Sequence, residues 1–207
     1  MKEKNIIEEI NLDNFDDIMN IEGNYGGSQE WFLEFGDSKY LRDKGCGIIA
    51  ATNTISYMAN TKDKYKLFTD YNKSIKSYLN LAFELQQYIK ATPLGVFTIW
   101  QMNRGIKKFS KTKGIRLLPM KNIWKWTVEN SYQYIKSGLI YGSPVLMLTW
   151  NSKIKSLANH WVSITGIKKY ENGEIYIKVS NRGRVEEYNF KDWFYTPSLY
   201  KGLIYYQ

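Results

Sequence analysis

With a single cysteine, the 207-residue chain cannot close an intramolecular disulfide, so nothing in it points to a cysteine-stapled fold of an oxidising compartment. With a single histidine as well, a four-coordinate metal site lacks its usual soft ligands. The opening "MKEKNIIEEINLDNFDD" has a basic start but no run of about 7–15 apolar residues, so it is not a secretory signal. Nor does any stretch approach the ~18 uninterrupted apolar residues that a membrane span needs. Together these absences predict a cytoplasmic protein without a metal or other cofactor. Internal repeats, low-complexity tracts, zinc-finger spacings and phosphate-binding glycine loops are missing too.

What is present suits one compact domain. Hydrophobic residues make up 43% of the chain and charged residues 24%, a globular balance at a length able to bury a substantial core. The formal charge is +9, and 9 Phe, 7 Trp and 17 Tyr supply abundant rings. A basic, aromatic-rich surface can bind single-stranded nucleic acid. The lysines are scattered, however, and nucleic acid is not the expected partner.

Residues 1–38 read as an N-terminal arm, with a turn-like "EGNYGGSQ" before the aromatic "EWFLEF". From position 46 the pattern becomes helical: Cys46, Ile49, Ala50, Asn53 and Tyr57 share one face and predict a helix over about 46–60. Further helices are expected at about 70–90, 94–110 and 122–137, the last with Ile123, Trp126 and Tyr134 at helical spacing. Pro93, Pro119 and Gly138 punctuate them. The last third shifts towards a strand pattern. "SPVLMLTW" (143–150) is a continuous apolar run, while "HWVSITGIKKY" (160–170) and "EIYIKVS" (174–180) alternate about an "ENG" turn. "RVEEYNF" (184–190) adds a strand, "KDWF" a short turn or helix, and "GLIYY" an edge strand. Helices followed by antiparallel strands predict an α+β architecture.

Chemistry concentrates at two singular residues. Cys46, between Gly45 and Gly47, opens the first helix, where free N–H groups and a partial positive charge stabilise a thiolate. Its flanking glycines would let a substrate backbone approach the sulfur. His160, the only histidine, opens a strand. Alone, such a cysteine is ordinarily a buried inert thiol and such a histidine a structural one; the pairing is what suggests catalysis.

"GCGIIAATNTISYM" resembles the nucleophile helix of papain-like cysteine peptidases, in particular the bacteriocin-processing branch, through Cys46, Gly47 and Ala50. "NHWVSITGIKKYENGEIYIKVSNRGR" is similar to the second half of that site through His160, Val162, Ile164, Gly166 and Asn181. The resemblance covers about residues 39–190. It implies a papain-like fold over 39–207, with a helical N-terminal lobe, the nucleophile at a helix N-terminus, and a C-terminal antiparallel sheet packed against it. It also implies that Cys46 is the nucleophile, His160 the base, and Asn181 the residue that holds the imidazole.

One position departs from the family. A glutamine six residues before the cysteine ordinarily helps hold the oxyanion, and this chain has Tyr40 there. Either the Tyr40 hydroxyl donates instead, another residue such as Gln29 reaches in, or the site is weakened. Glu186 and Glu187 are adjacent on a strand and point to opposite sides, which disqualifies them as paired acids. Trp161 should point away from His160 and pack on a helix. The expected activity is hydrolysis of a peptide or amide substrate through a thioester. Acyl transfer by the same residues, or a silent papain-like binding domain, are the alternatives.

Overall fold

In the computed structural model, residues 5–62, 65, 72–120 and 125–207 are described. In chain order these form β1 (Ile6–Asn11), α1 (Phe15–Ile18), β2 (Asn20–Ile21), β3 (Asn24–Tyr25), α2 (Trp31–Glu34), α3 (Lys39–Lys44), α4 (Cys46–Thr61), α5 (Ile75–Ile89), α6 (Ile99–Thr112) and α7 (Val128–Tyr141). They continue with β4 (Val145–Trp150), a 3₁₀ turn (Lys155–Leu157), β5 (His160–Tyr170), β6 (Ile175–Asn181), β7 (Arg184–Asn189), α8 (Phe190–Tyr195) and β8 (Tyr200–Ile204). The class is α+β.

The main sheet is antiparallel in the order β7-β6-β5-β4-β8, and β1 also pairs with β5. The long central strand explains how. Its first half, His160–Ile164, pairs with β4, and its second half pairs with β1, from Gly166 opposite Asn11 to Tyr170 opposite Ile6. The stretch read as an N-terminal arm therefore supplies a strand of the main sheet. Leu12, Phe15, Met19, Ile21, Trp31 and Phe32 from the same stretch are buried in the common core. No helix among the described residues is long and apolar enough to cross a membrane.

Helix α4 occupies the middle of the molecule. Every residue from Gly47 to Met58 is buried, and the helix touches α5 as well as β5 and β4. A helix stretch buried on all sides has only protein partners for its polar side chains, and all but the Ser56 hydroxyl find one. Thr52 and Thr54 return their hydroxyls to the carbonyls of Ile48 and Ala50. Asn53 does more: its Oδ1 accepts the Gly27 N–H at 2.9 Å and the Tyr78 hydroxyl at 2.8 Å. Its Nδ2 donates to Ser180 at 3.2 Å, and Ser180 donates onward to the Tyr25 carbonyl. One amide thus ties the 25–27 loop, α5 and β6 to the central helix. Gly26 has φ +76°, and a Cβ at Gly27 would lie 2.2 Å from the Tyr78 ring, so "YGG" is what lets this loop lie against the core.

Helix boundaries differ from the periodicity at their starts. α5, α6 and α7 begin at 75, 99 and 128, each after a Ser or Thr that caps the N–H three residues on: Ser74 to Ser77, Thr98 to Gln101, Thr127 to Asn130. Of the expected 70–90 and 122–137 helices, 70–71 and 122–124, with Ile123, fall outside the described residues. Trp126 precedes α7 and stacks on Phe194. Gly138 does not end α7. It lies inside the helix, where a Cβ would meet Val145 and Tyr205, and Gly142 at φ +78° terminates it.

Replacing Asn53 with Ala should lower unfolding stability by about 2–3 kcal/mol, because the buried Gly27 N–H and Ser180 lose their partner. Urea unfolding checks this: the midpoint should fall with the slope unchanged.

Candidate active site

Cys46 is the first residue of α4, and Gly45 precedes it without a side-chain cap. Its glycine neighbours are filled by the protein itself rather than left open for a substrate. A Cβ at Gly45 would lie 2.4 Å from the Leu41 carbonyl oxygen, and one at Gly47 would lie 2.6 Å from Val96 and 3.1 Å from Trp161. These glycines exist so that α3, the Val96 segment and Trp161 can close on the helix start. Trp161 is buried, and its indole N–H donates to the Val96 carbonyl.

Strand register accounts for the other two residues. Alternation sends Trp161 and Ser163 towards α4, where Ser163 donates to the Ala50 carbonyl. His160 alternates with Trp161, but as the first residue of β5 it stands at the strand end, where it lines the same cavity as Cys46. Ser163 pairs with Ser180, so Asn181 falls across from Val162 and shares the His160 face. The ring Nε2 of His160 and Oδ1 of Asn181 are 2.8 Å apart. Asn181 ends β6 and pairs with Arg184. Between them Arg182 and Gly183 have φ +51° and +75°, the two left-handed positions of a type I′ hairpin turn.

Cys46 and His160 meet at one narrow cavity, of about 10 Å³, lined also by Gln29, Asn53, Trp161 and Arg182. That is room for about one water molecule. His160 and Asn181 are buried while the cysteine is partly accessible. Among the described residues no hydrogen bond joins the thiol to the imidazole.

Burial governs both ionisations. It pushes the Cys46 thiol up, against backbone hydrogen bonds from Trp161, Gly47 and Cys46 itself and the positive charge of Arg182, which pull it down. It lowers His160 to about 4; the Asn181 hydrogen bond and Glu186 oppose that shift, and Arg182 adds to it. At neutral pH the resting pair is thiol and neutral imidazole.

Tyr40, at the position to which the resemblance gives the oxyanion role, is where sequence and geometry part. Tyr40 is 45% exposed and its hydroxyl donates to the Ala91 carbonyl at 2.8 Å. It is not among the residues lining the Cys46 cavity. Gln29 is. Its Nε2 donates to the Arg42 carbonyl at 2.8 Å, and its Oε1 is buried without a partner. Gln29 arrives from the glycine-anchored loop before α2, 17 positions ahead of the cysteine, so a fixed spacing could not find it; the "GGSQ" turn was the available signal. Sequence reasoning also set Glu186 aside, yet it accepts a hydrogen bond from Asn181 Nδ2 at 3.0 Å and another from the Tyr188 hydroxyl.

A far larger groove, of about 920 Å³, lies between α5 and α6. Lys90, Arg104, Lys108 and Lys111 line it together with Phe97 and the 66%-exposed Trp100, and no Asp or Glu does. Among the described residues no cluster of His, Cys, Asp and Glu could hold a metal ion. No family model, curated protein or solved structure matches this chain.

Because the folded state holds His160 near 4 and the unfolded chain near 6.5, its contribution is full above pH 6.5 and lost as pH falls towards 4. Subtracting a His160→Gln variant should isolate a loss of about 3 kcal/mol between pH 7 and pH 4, read by urea unfolding at each pH.

Proposed function

We propose that the protein is a papain-like cysteine hydrolase that cleaves a peptide or amide bond through a thioester. The observation that carries this reading is the 2.8 Å contact between His160 and Asn181 beside a cavity that Cys46 also lines. Cys46 attacks the substrate carbonyl carbon while its proton passes to the free ring nitrogen of His160. The carbonyl oxygen becomes an oxyanion, and a cavity sized for one water is sized for that oxygen. Collapse breaks the C–N bond, the imidazolium protonates the leaving amine, and a thioester remains. Water, deprotonated by His160, then releases the acid and restores the thiol.

Because the resting pair is neutral, proton transfer accompanies attack rather than preceding it. Gln29 Nε2 gives one hydrogen to the Arg42 carbonyl, and its second is the one that would serve the oxyanion, beside the backbone N–H of Cys46 and in place of Tyr40. An amine in place of water would make the same site an acyltransferase.

Cleavage of a degenerate peptide library, followed by mass spectrometry, tests this. Cys46→Ser should abolish cleavage, His160→Ala should slow it by roughly 10²–10⁴-fold, and Gln29→Ala by roughly 10²–10³-fold. With any substrate so found, kcat/KM should rise with pH through about 4 and stay level to pH 8, since the base titrates near 4 and the thiol above its usual range. Cleavage that survives Cys46→Ser, or that His160→Ala leaves at the wild-type rate, would sink the proposal.

The α5–α6 groove favours a second reading, in which the chain binds single-stranded nucleic acid. Its exposed Trp100 offers a stacking surface, and Arg104, Lys108 and Lys111 follow one helical face. Oligo-dT titrated against tryptophan fluorescence should then bind with an affinity that falls steeply with salt and is lost in Arg104→Glu/Lys108→Glu.

A further inference from the structure

Asn181 sits between two partners of unequal chemistry. On one side its amide meets His160 Nε2 at 2.8 Å, and on the other its Nδ2 lies 3.0 Å from Glu186 Oε2. An imidazole nitrogen donates or accepts according to its tautomer, but a carboxylate oxygen only accepts. Glu186 therefore decides which way the amide faces. Turning Asn181 over would set its carbonyl oxygen against the carboxylate, two acceptors with no proton between them, which is repulsive.

From this chain of contacts we propose that Glu186 is a positioning residue: by orienting Asn181 it fixes His160 as the Nε2–H tautomer and keeps the Nδ1 lone pair free to take the Cys46 proton. The logic runs one way. Glu186 accepts from Nδ2, so Oδ1 points at His160; Oδ1 accepts, so Nε2 must carry the hydrogen. A neutral imidazole has only one such hydrogen, so Nδ1 is left as the base. The Tyr188 hydroxyl, two residues along the same face of β7, also donates to Glu186 Oε2. The two donors leave that carboxylate oxygen little freedom to turn away. The β6–β7 hairpin sets the register, pairing Asn181 with Arg184 and Val179 with Glu186.

The base assignment rests on the hydrolase reading, but the tautomer does not, and it can be measured without turnover. The chain has one histidine, so ¹⁵N spectra of selectively labelled protein show a single ring. His160 is neutral at pH 7, since burial holds its pKa at about 4. In the wild-type protein at pH 7 the ring should show a protonated Nε2 and a bare Nδ1. Glu186→Gln keeps the shape but can donate as well as accept, so Asn181 can turn over and the Nδ1–H form should appear. Tyr188→Phe retains the carboxylate and should keep the wild-type tautomer, which guards against a general effect of disturbing β7. With a cleavable substrate, Glu186→Gln should lower kcat about 10- to 100-fold with little change in KM. A wild-type ring protonated at Nδ1, or a Glu186→Gln ring indistinguishable from wild type in a folded protein, would overturn the proposal. A locked tautomer in a protein that cleaves nothing would uphold the positioning and remove the hydrolase reading.

Discussion

The burial of α4 on all sides from Gly47 to Met58 is the constraint from which the rest follows. A helix enclosed from Gly47 to Met58 can leave no polar side chain to water, and its amide at Asn53 is satisfied only by drawing in the Gly27 N–H, Tyr78 and Ser180. Those bonds bring together the N-terminal segment, the helical layer and the sheet. They also set the positions from which the site is built. Ser180 precedes Asn181 directly, Gly27 stands two residues before Gln29, and Cys46 lies two helical turns back along α4.

The same enclosure sets the electrostatics. Both reactive groups lie where burial disfavours charge, so the thiol is pushed up and the imidazole down. An ion pair formed in advance would need stronger compensation than Arg182 and three backbone hydrogen bonds supply. In the proposed hydrolase, a neutral pair suits a nucleophile that is activated only when a carbonyl is in place, and it makes the tautomer of the ring a matter of consequence. The hydrogen-bonded series Glu186, Asn181 and His160, through side chains on one face of three adjacent strands, is the proposed source of that control.

Much of this was legible beforehand. The α4 periodicity, the alternating strands and the "ENG" turn each reflect interactions between residues close in sequence, and all reappear in the structure. The pairing of His160 with Asn181 was legible from motif and order. Tyr40, Glu186 and the arm were not. A spacing of six residues assumes one path of the chain into α4, whereas here Tyr40 lies in α3 and bonds to Ala91, while a distant loop brings in Gln29. Adjacent Glu186 and Glu187 were rightly seen to face opposite sides, but which side holds Asn181 depends on the register of β6 against β7.

What the sequence determined by itself were properties set by local spacing and by residue count: helix then sheet, a cysteine at a helix start, one imidazole for it to meet. What only the tertiary structure decided were the partners across long separations. Residues 6–11 became a strand because the second half of β5 offers an edge beyond the reach of β4. Gly45 and Gly47 proved to be packing residues because protein atoms already stand where a side chain would go. Each of these follows from the close packing of groups far apart in the chain, and local pattern carries no record of which distant backbone will lie against it.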